Sequence, residues 1–175
     1  INSSIAEAMK APPNKVVIVS SVATETPTST VKQNAESFIV LSVGRFHYLK
    51  GFDLTIRAFA SYYHSLKNRV QKNAQLLLVG SGEEKSRLTQ LAIDLKINHK
   101  IKWIEWVDRS EMKQLYLEAN AFLFPSHEGA GMVIPEAMSY GLPVITLNNF
   151  GPGELAGTAG SVSYTNLRDH ETPER

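Results

Sequence analysis

Apolar runs of strand length alternate with segments of helical period along most of the chain, and this alternation restricts the fold more than any other feature. Strand-like runs cover residues 15–20, 37–43, 74–79, 100–105, 121–124, 143–147 and 161–164. Several are almost continuously apolar, as strands buried on both faces are. The pattern predicts an α/β fold, a Rossmann-like, doubly wound parallel sheet with helices on both faces.

The segments between these runs carry apolar residues at helical spacing. The predicted buried faces are Phe52, Ile56, Phe59, Ala60 and Tyr63 in the first segment, Leu88, Leu91, Ala92 and Leu95 in the second, and Met112, Leu115, Tyr116 and Ala119 in the third. Ser110 is the predicted N-cap of the third helix. Proline is tolerated in the first turn of a helix, so Pro135 predicts a further helix start near Gly131 or Met132.

Composition excludes several classes of function. The net charge of +1 gives no sign of a nucleic-acid partner, and the absence of cysteine excludes disulfides and thiolate sites. No apolar run approaches the roughly 20 residues that a membrane helix needs. No His, Asp or Glu cluster has metal-ligand spacing, so we expect neither a metal nor another cofactor.

Unusual residues follow the predicted strands where each strand ends. Gly44 and Arg45 follow the run ending at residue 43, Gly80 and Gly82 follow the next run, and Trp106 follows the one after it. Ligands of doubly wound sheets bind just beyond the carboxyl ends of the strands. These positions therefore predict a binding site along one edge of the sheet.

The loop at 44–51, "GRFHYLKG", holds two cations between two glycines. A guanidinium at Arg45 and an ammonium at Lys50 are suited to clamp a diphosphate. The alternative is that both are ordinary solvated surface cations beside turn glycines.

The turn at 79–84, "VGSGEE", resembles half of a dinucleotide-binding fingerprint, but it lacks the third glycine. The alternative is a tight strand-to-helix turn, for which glycine is the usual residue. Glu83 and Glu84 would then complement the helix dipole. Their negative charge disfavours a phosphate at that helix, so we expect the phosphate elsewhere.

The segment at 125–138, "PSHEGAGMVIPEAM", sets Glu128 and Glu136 eight positions apart around a loop that leads into a helix. Backbone N–H groups in the loop and at the helix start are suited to hold a phosphate, and the loop residues concerned are Gly129, Ala130, Gly131 and Met132. Carboxylates on either side are acceptors suited to hydroxyls, and phosphate with many hydroxyls describes a nucleotide sugar.

Each of these side chains also has a simpler interpretation. Glu136 could merely complement a helix dipole, and Glu128 could be a solvated loop acid. The pair could also be read as glycosidase carboxylates, although the helical position of Glu136 disfavours this. Trp106 could flank a base or pack under a loop.

Four motifs occur in a characteristic order: "VGRFHYLKGFDLTIRAF", "LLLVGSGEE", "YLEANAFLFPSHEGAGMVIPEAMSYGLPVI" and "FGPGELAG". Together, from about residue 15 to residue 160, the chain resembles the C-terminal, nucleotide-sugar-binding domain of group 1 (family 4) retaining glycosyltransferases with the GT-B fold. It departs from the usual pattern at Glu105 and Ala130, where members often have Gly and Phe.

The resemblance implies roles for the site residues. Arg45 and Lys50 would contact the donor diphosphate and Glu128 the donor sugar, and these three carry the predicted catalysis. Glu136 would contact the ribose. The remaining predicted donor-binding residues are Gly44, Gly80, Gly82, Trp106, Gly129, Ala130, Gly131 and Met132.

The resemblance also implies an organisation and a setting. Residues 1–36 would form an N-terminal strand and a linker-like segment that belong to the domain, and residues 37–175 the nucleotide-sugar-binding Rossmann-like domain, a single domain within a longer enzyme. The expected partners are a nucleotide-sugar donor and an N-terminal acceptor domain, with no nucleic acid and no metal. The enzyme would act in polysaccharide biosynthesis in the cytoplasm or, through its other half, at the inner face of the membrane. The alternatives are a non-catalytic nucleotide- or phosphate-binding module, a nucleotide-sugar epimerase and a phosphorylase.

Overall fold

A computed structural model describes residues 37–66, 73–127, 131–147 and 162–163, and these form a parallel sheet flanked by helices. The elements are β1 (Phe38–Val43), α1 (Phe52–Ser65), β2 (Ala74–Val79), α2 (Lys85–Asp94), β3 (Ile101–Ile104), α3 (Arg109–Glu118), β4 (Ala121–Phe124), α4 (Val133–Ser139), β5 (Val144–Thr146) and β6 (Val162–Ser163). Short 3-10 turns lie at Tyr48–Lys50 and Asn98–Lys100.

The strand order is β3-β2-β1-β4-β5-β6, and every neighbouring pair is parallel. Val40 of β1 aligns with Leu76 of β2 on one side and with Ala121 of β4 on the other. The chain therefore winds outward from β1 in one direction and then outward from β4 in the other. The point between β1 and β4 is a topological switch point, where such sheets hold their ligands.

Two apolar clusters lie on opposite faces of the sheet. Successive strand residues point to opposite faces, so Val40 joins one cluster and Leu41 the other. The first cluster packs against α1 and α2, and the second against α3 and α4. The predicted doubly wound α/β fold is confirmed.

The sequence patterns located most elements closely. The predicted runs at 74–79 and 121–124 match β2 and β4, and the other strand predictions within the described residues include the observed strands and exceed them by one or two residues. All five residues predicted to form the buried face of α1 are buried. The predicted strand at 15–20 lies outside the described residues, as does the whole of segment 1–36. None of the described helices is both long enough and apolar enough to cross a membrane.

The predicted N-cap at Ser110 is wrong, because α3 begins two residues earlier with Asp108 as its cap. The Asp108 carboxylate accepts a hydrogen bond from the Glu111 N–H (2.8 Å), and the Glu111 carboxylate accepts one from the Asp108 N–H (3.0 Å). This is a reciprocal capping box. Ser110 lies inside the first turn, where its hydroxyl donates to Asp108 (2.7 Å). Aspartate and serine both favour the cap position. Asp108 is the cap here because Glu111, three residues later, completes the capping box.

The cap predicts a pH-dependent contribution to stability. Hydrogen bonds from the Glu111 N–H and from Ser110 lower the pKa of Asp108. A group whose pKa is lowered on folding stabilises the fold above its unfolded pKa, about 3.9, and loses that contribution as the pH falls through the folded value. We expect Asp108→Ala to lower the thermal midpoint at pH 7 by roughly 2–4 °C, as loss of an N-cap does in a domain of this size.

The matched control is Asp108→Asn, because asparagine caps equally well without a charge. Circular dichroism melts between pH 7 and pH 2.5 should show the gap between wild type and Asp108→Ala closing below about pH 4. A midpoint for Asp108→Ala equal to that of wild type at pH 7 would show that the cap contributes nothing.

Candidate functional site

The loops that follow β1 and β2 are joined through their backbones at the carboxyl edge of the sheet. Phe46 N–H donates to the Ser81 carbonyl (2.8 Å), and Glu84 N–H donates to the Phe46 carbonyl (3.1 Å). Gly80 has φ +140°, and a Cβ there would overlap the carbonyl oxygen of Gly44. The glycine at position 80 is therefore required by the contact between the two loops.

Phe46 anchors the loop after β1 in the core. Its side chain is 1% exposed, although it lies between two more accessible residues of the same loop. Its ring makes edge contacts with Phe52 (4.7 Å between centroids) and Trp103 (5.7 Å). Lys85 covers the Trp103 ring at 3.5 Å from its centroid, and burial lowers the pKa of this lysine. The loop that carries Arg45 is thus attached to the core through the buried Phe46 ring.

The loop after β1 is also joined to the loop after β4, across the switch point. His127 N–H donates to the Leu49 carbonyl (2.8 Å), and the Ser126 hydroxyl donates to the same oxygen (3.2 Å). Gly51 has φ +67°, and a Cβ there would overlap the Pro125 carbonyl. The turn that carries Lys50 therefore lies directly beside the segment that leads to Glu128.

Arg45 points toward the loop after β2. Its guanidinium lies 3.5 Å from one oxygen of Glu83, and the other oxygen of Glu83 lies 3.7 Å from His47 Nε2. The pKa of Glu83 is lowered by a hydrogen bond from the Glu83 backbone N–H to its own carboxylate, and further by the nearby Arg45 and His47. The Arg45 side chain is 72% exposed, so this cation is accessible to an anion from solvent.

Lys50 points toward the end of β4. Its Nζ lies 5.6 Å from the centroid of the Phe124 ring, within the range of a cation–π contact. Phe124 is the last residue of β4. The two predicted diphosphate-binding cations therefore point to opposite sides of the loop after β1, with Arg45 directed toward the loop after β2 and Lys50 toward β4, beside the switch point.

Helix α4 begins at Val133 with Met132 as its N-cap, as the position of Pro135 predicted. Ile134 N–H donates to the Gly131 carbonyl (2.8 Å), and the Met132 side chain is 59% exposed. Glu136 lies in the first turn, where its carboxylate accepts a hydrogen bond from the Tyr116 hydroxyl (3.2 Å). Burial, followed by the nearby Glu136, raises the pKa of Tyr116, so its hydroxyl stays a donor that orients Glu136.

The two tryptophans differ in exposure. Trp103 is partly buried against the first cluster, and Trp106, two residues beyond β3, is 78% exposed. Gly80 N–H donates to the Ile104 carbonyl (2.8 Å), so the loop that carries Trp106 leaves the sheet beside the glycine turn. An exposed indole at this edge is available to a planar ligand group.

Several predicted site residues lie close together at this edge: Gly44, Arg45, Lys50, Gly80 and Gly82. A Cβ at Gly82 would press against the Phe46 backbone, so this glycine also serves the contact between the loops. Glu128, Gly129 and Ala130 lie outside the described residues. The donor contacts assigned to all of these residues stay predictions.

The roles of Phe46, His47 and the Glu83 carboxylate escaped the sequence analysis. The contacts through which they join the two loops link residues about 35 or more positions apart, and no local pattern encodes such a pairing. Sequence analysis assigned Glu83 and Glu84 only to the helix dipole. In the structure each also has a side-chain partner, because Glu83 pairs with Arg45 and Glu84 pairs with Arg87. The signal that could have helped is the placement of both loops at the same sheet edge.

A separate groove of about 520 Å³ lies between α1 and the strands β1, β4 and β5. Phe38, Tyr62, Leu123 and Ile145 are among its lining residues. None of the described residues that line it is charged, so it is unsuited to a diphosphate. Among the described residues, no group of three His, Asp or Glu side chains is placed to hold a metal ion.

Comparison with known proteins agrees with this geometry. The model of the family "Glycosyl transferases group 1" matches residues 24–164, most of the chain. The chain is 31% identical over 139 residues to the lipopolysaccharide core biosynthesis glycosyltransferase LpsE of Rhizobium meliloti (strain 1021), covering 79% of this chain and 36% of LpsE. It is 34% identical over 113 residues to O-antigen chain mannosyltransferase B of Escherichia coli, covering 63% of this chain and 30% of that protein.

Among solved structures, WaaG, a glycosyltransferase involved in lipopolysaccharide biosynthesis, superposes with a TM-score of 0.61 at 28% identity. The match covers 72% of this chain and 32% of WaaG. This chain therefore spans only about a third of the length of these relatives. The strand order, the loops joined across the switch point and the family match agree, and the chain belongs to the group 1 glycosyl transferases, with the Rossmann-like sheet of their GT-B fold.

Proposed function

We propose that the chain is the donor-binding domain of a retaining glycosyltransferase. The enzyme moves a sugar from a nucleoside-diphosphate sugar to a glycan or lipid-linked acceptor. The observation that carries the proposal is the position of Lys50, whose Nζ lies 5.6 Å from the Phe124 ring at the end of β4. This lysine reaches across the switch point to the strand that leads into the glycine-bearing loop before α4.

The chemistry rests on charge stabilisation at the leaving group. Breaking the bond between sugar and diphosphate places additional negative charge on the diphosphate, and fixed cations lower the energy of that transition state. Arg45 and Lys50 supply these cations from the two ends of one loop. Backbone N–H groups between Gly129 and Met132 assist them, and no metal is needed.

The carboxylates serve the rest of the donor. Glu128 orients the sugar hydroxyls, and its negative charge stabilises an oxocarbenium-like centre. The Glu136 carboxylate accepts hydrogen bonds from the ribose hydroxyls. The hydrogen bond from the Tyr116 hydroxyl (3.2 Å) keeps this carboxylate oriented. Trp106 flanks the base from the loop after β3, where this residue is 78% exposed.

The names of two relatives support a hexose donor and an acceptor of the cell envelope. LpsE is described as a lipopolysaccharide core biosynthesis glycosyltransferase, and another relative as a mannosyltransferase of the O-antigen chain. By analogy, we place this protein in polysaccharide biosynthesis, in the cytoplasm or at the inner face of the membrane. This chain covers about a third of those relatives, which supports an acceptor site in a second domain, and we place that domain N-terminal to this one.

Isothermal titration tests donor binding. We expect the chain alone to bind a nucleoside diphosphate weakly and to transfer no sugar, because the acceptor domain is absent from it. Uridine, guanosine and adenosine diphosphates should be titrated separately into the folded chain, with Arg45→Ala as the matched control. Absence of heat with all three in a folded sample would contradict the proposal. Transfer of labelled sugar by this chain alone would contradict the assignment of the acceptor site to another domain.

A further inference from the structure

In this structure the Glu83 carboxylate is paired with the Arg45 guanidinium. The proposed function places the donor diphosphate at the same guanidinium. One carboxylate oxygen lies 3.5 Å from the Arg45 guanidinium, and the other lies 3.7 Å from His47 Nε2. A carboxylate offers an arginine two acceptor oxygens in the same fork arrangement that a phosphate offers. The same group of side chains could therefore accept either anion.

The backbone beneath this contact is fixed, so the exchange needs only side-chain motion. Phe46 lies between Arg45 and His47 and is hydrogen-bonded on both sides to the loop that carries Glu83, through Ser81 (2.8 Å) and Glu84 (3.1 Å). The Glu83 side chain is 52% exposed. It can rotate into solvent without disturbing the loops that hold it.

His47 presents a donor to whichever anion is bound. Its Nδ1 accepts a hydrogen bond from the Leu49 N–H (3.3 Å), which places the proton of the neutral ring on Nε2. Nε2 is the atom that faces Glu83. The ring therefore offers an N–H toward the site in its neutral form as well as in its protonated form.

We propose that Glu83 is an internal counter-ion of the donor site, which occupies Arg45 when the site is empty and yields it to the donor diphosphate. This inference rests on the proposed function. Exposed ion pairs are weak, so a diphosphate carrying several charges displaces the carboxylate. After transfer, the returning carboxylate competes with the product diphosphate and favours its release. His47 donates to both anions in turn.

Glu83→Gln tests the competition, because it keeps the size of the side chain and removes the charge. Glu84→Gln is the matched control, since it removes the same charge one residue later from a carboxylate that pairs with Arg87 (Nε to Oε2, 2.6 Å). Inorganic pyrophosphate and the three nucleoside diphosphates should be titrated calorimetrically into wild type, both single variants, Arg45→Ala and the Arg45→Ala/Glu83→Gln double variant.

We expect Glu83→Gln to bind pyrophosphate about 3- to 10-fold more tightly than wild type, the scale of removing an exposed competing charge. Glu84→Gln should change the affinity by less than about twofold, because its charge is engaged elsewhere and partly screened. When Arg45 is already replaced by alanine, Glu83→Gln should raise the affinity for pyrophosphate no more than Glu84→Gln does.

Two results overturn the inference, and they differ in what they say of the donor site. If Arg45→Ala weakens binding while Glu83→Gln binds no more tightly than Glu84→Gln, the counter-ion is refuted and the donor site stands. If no protein of the set binds pyrophosphate or any nucleoside diphosphate, including Glu83→Gln, the donor site and its counter-ion are refuted together.

Discussion

In the full-length enzyme, Arg45→Ala and Lys50→Ala should each lower the turnover number about 10- to 1000-fold, the range seen when one stabilising group of a developing anion is removed. The two cations point to opposite sides of the loop after β1, with Arg45 beside the loop after β2 and Lys50 near the end of β4. Neither cation can compensate for the loss of the other, because each approaches the diphosphate from a different side. Initial rates at saturating donor, with a labelled sugar, measure the effect.

Matched controls separate this effect from general loss of positive charge. Arg57 lies on the exposed side of α1, and Lys102 lies exposed on β3. Arg57→Ala and Lys102→Ala remove the same charges away from the carboxyl edge, and we expect both to retain turnover within about twofold of wild type, because exposed charges at a distance are screened by salt. Near wild-type turnover for Arg45→Ala and Lys50→Ala would refute their assigned roles.

Phe46→Ala should destabilise the fold by about 3–5 kcal/mol, the usual loss for a fully buried phenylalanine. The ring contacts Phe52 and Trp103, and the backbone of the same residue joins the first two loops of the site. We expect the variant to lose diphosphate binding as well, because the loop that carries Arg45 loses its anchor. Urea denaturation at 25 °C gives the free energy of unfolding.

Tyr48→Ala is the control, since Tyr48 is an aromatic of the same loop that is 66% exposed. Substitutions at such surface positions usually change stability by no more than about 0.5 kcal/mol. Phe46→Leu, which keeps much of the apolar volume, should fall between the two and stay measurable if the alanine variant does not fold. A loss below about 1 kcal/mol for Phe46→Ala would show that the loop is held by other contacts.

The strands and the buried helix faces could be predicted because a local pattern specifies them. Val40 and Leu41 are both apolar, and a strand with both faces buried must be so. The predicted face of α1 follows from residues three and four positions apart, a spacing that survives in the folded helix. The order of the strands was not predicted, because the general preferences of parallel sheets for winding and for connections allow more than one order.

The contacts within the candidate site could not be predicted in the same way. Arg45 and Glu83 are 38 positions apart in the sequence, and their contact depends on how two loops leave adjacent strands. The glycine at position 80 illustrates the ambiguity, because a motif that suits close approach to a phosphate equally suits close approach to a neighbouring carbonyl. In this structure the neighbour is Gly44. Sequence analysis placed these loops at one edge of the sheet, where the structure has them, and left the pairing of their side chains open.

The loops of the site are joined to one another mainly by backbone atoms, through Phe46 and Ser81 on one side and Leu49 and His127 on the other. Exchanging the exposed side chains that these loops carry leaves those bonds intact. Under the proposed function, exposed positions such as Trp106 and Met132 are those at which donor preference would diverge while the backbone contacts between the loops persist. A library that varies these two positions, and leaves the glycines and Phe46 unchanged, should yield mostly folded proteins with altered choice of nucleotide.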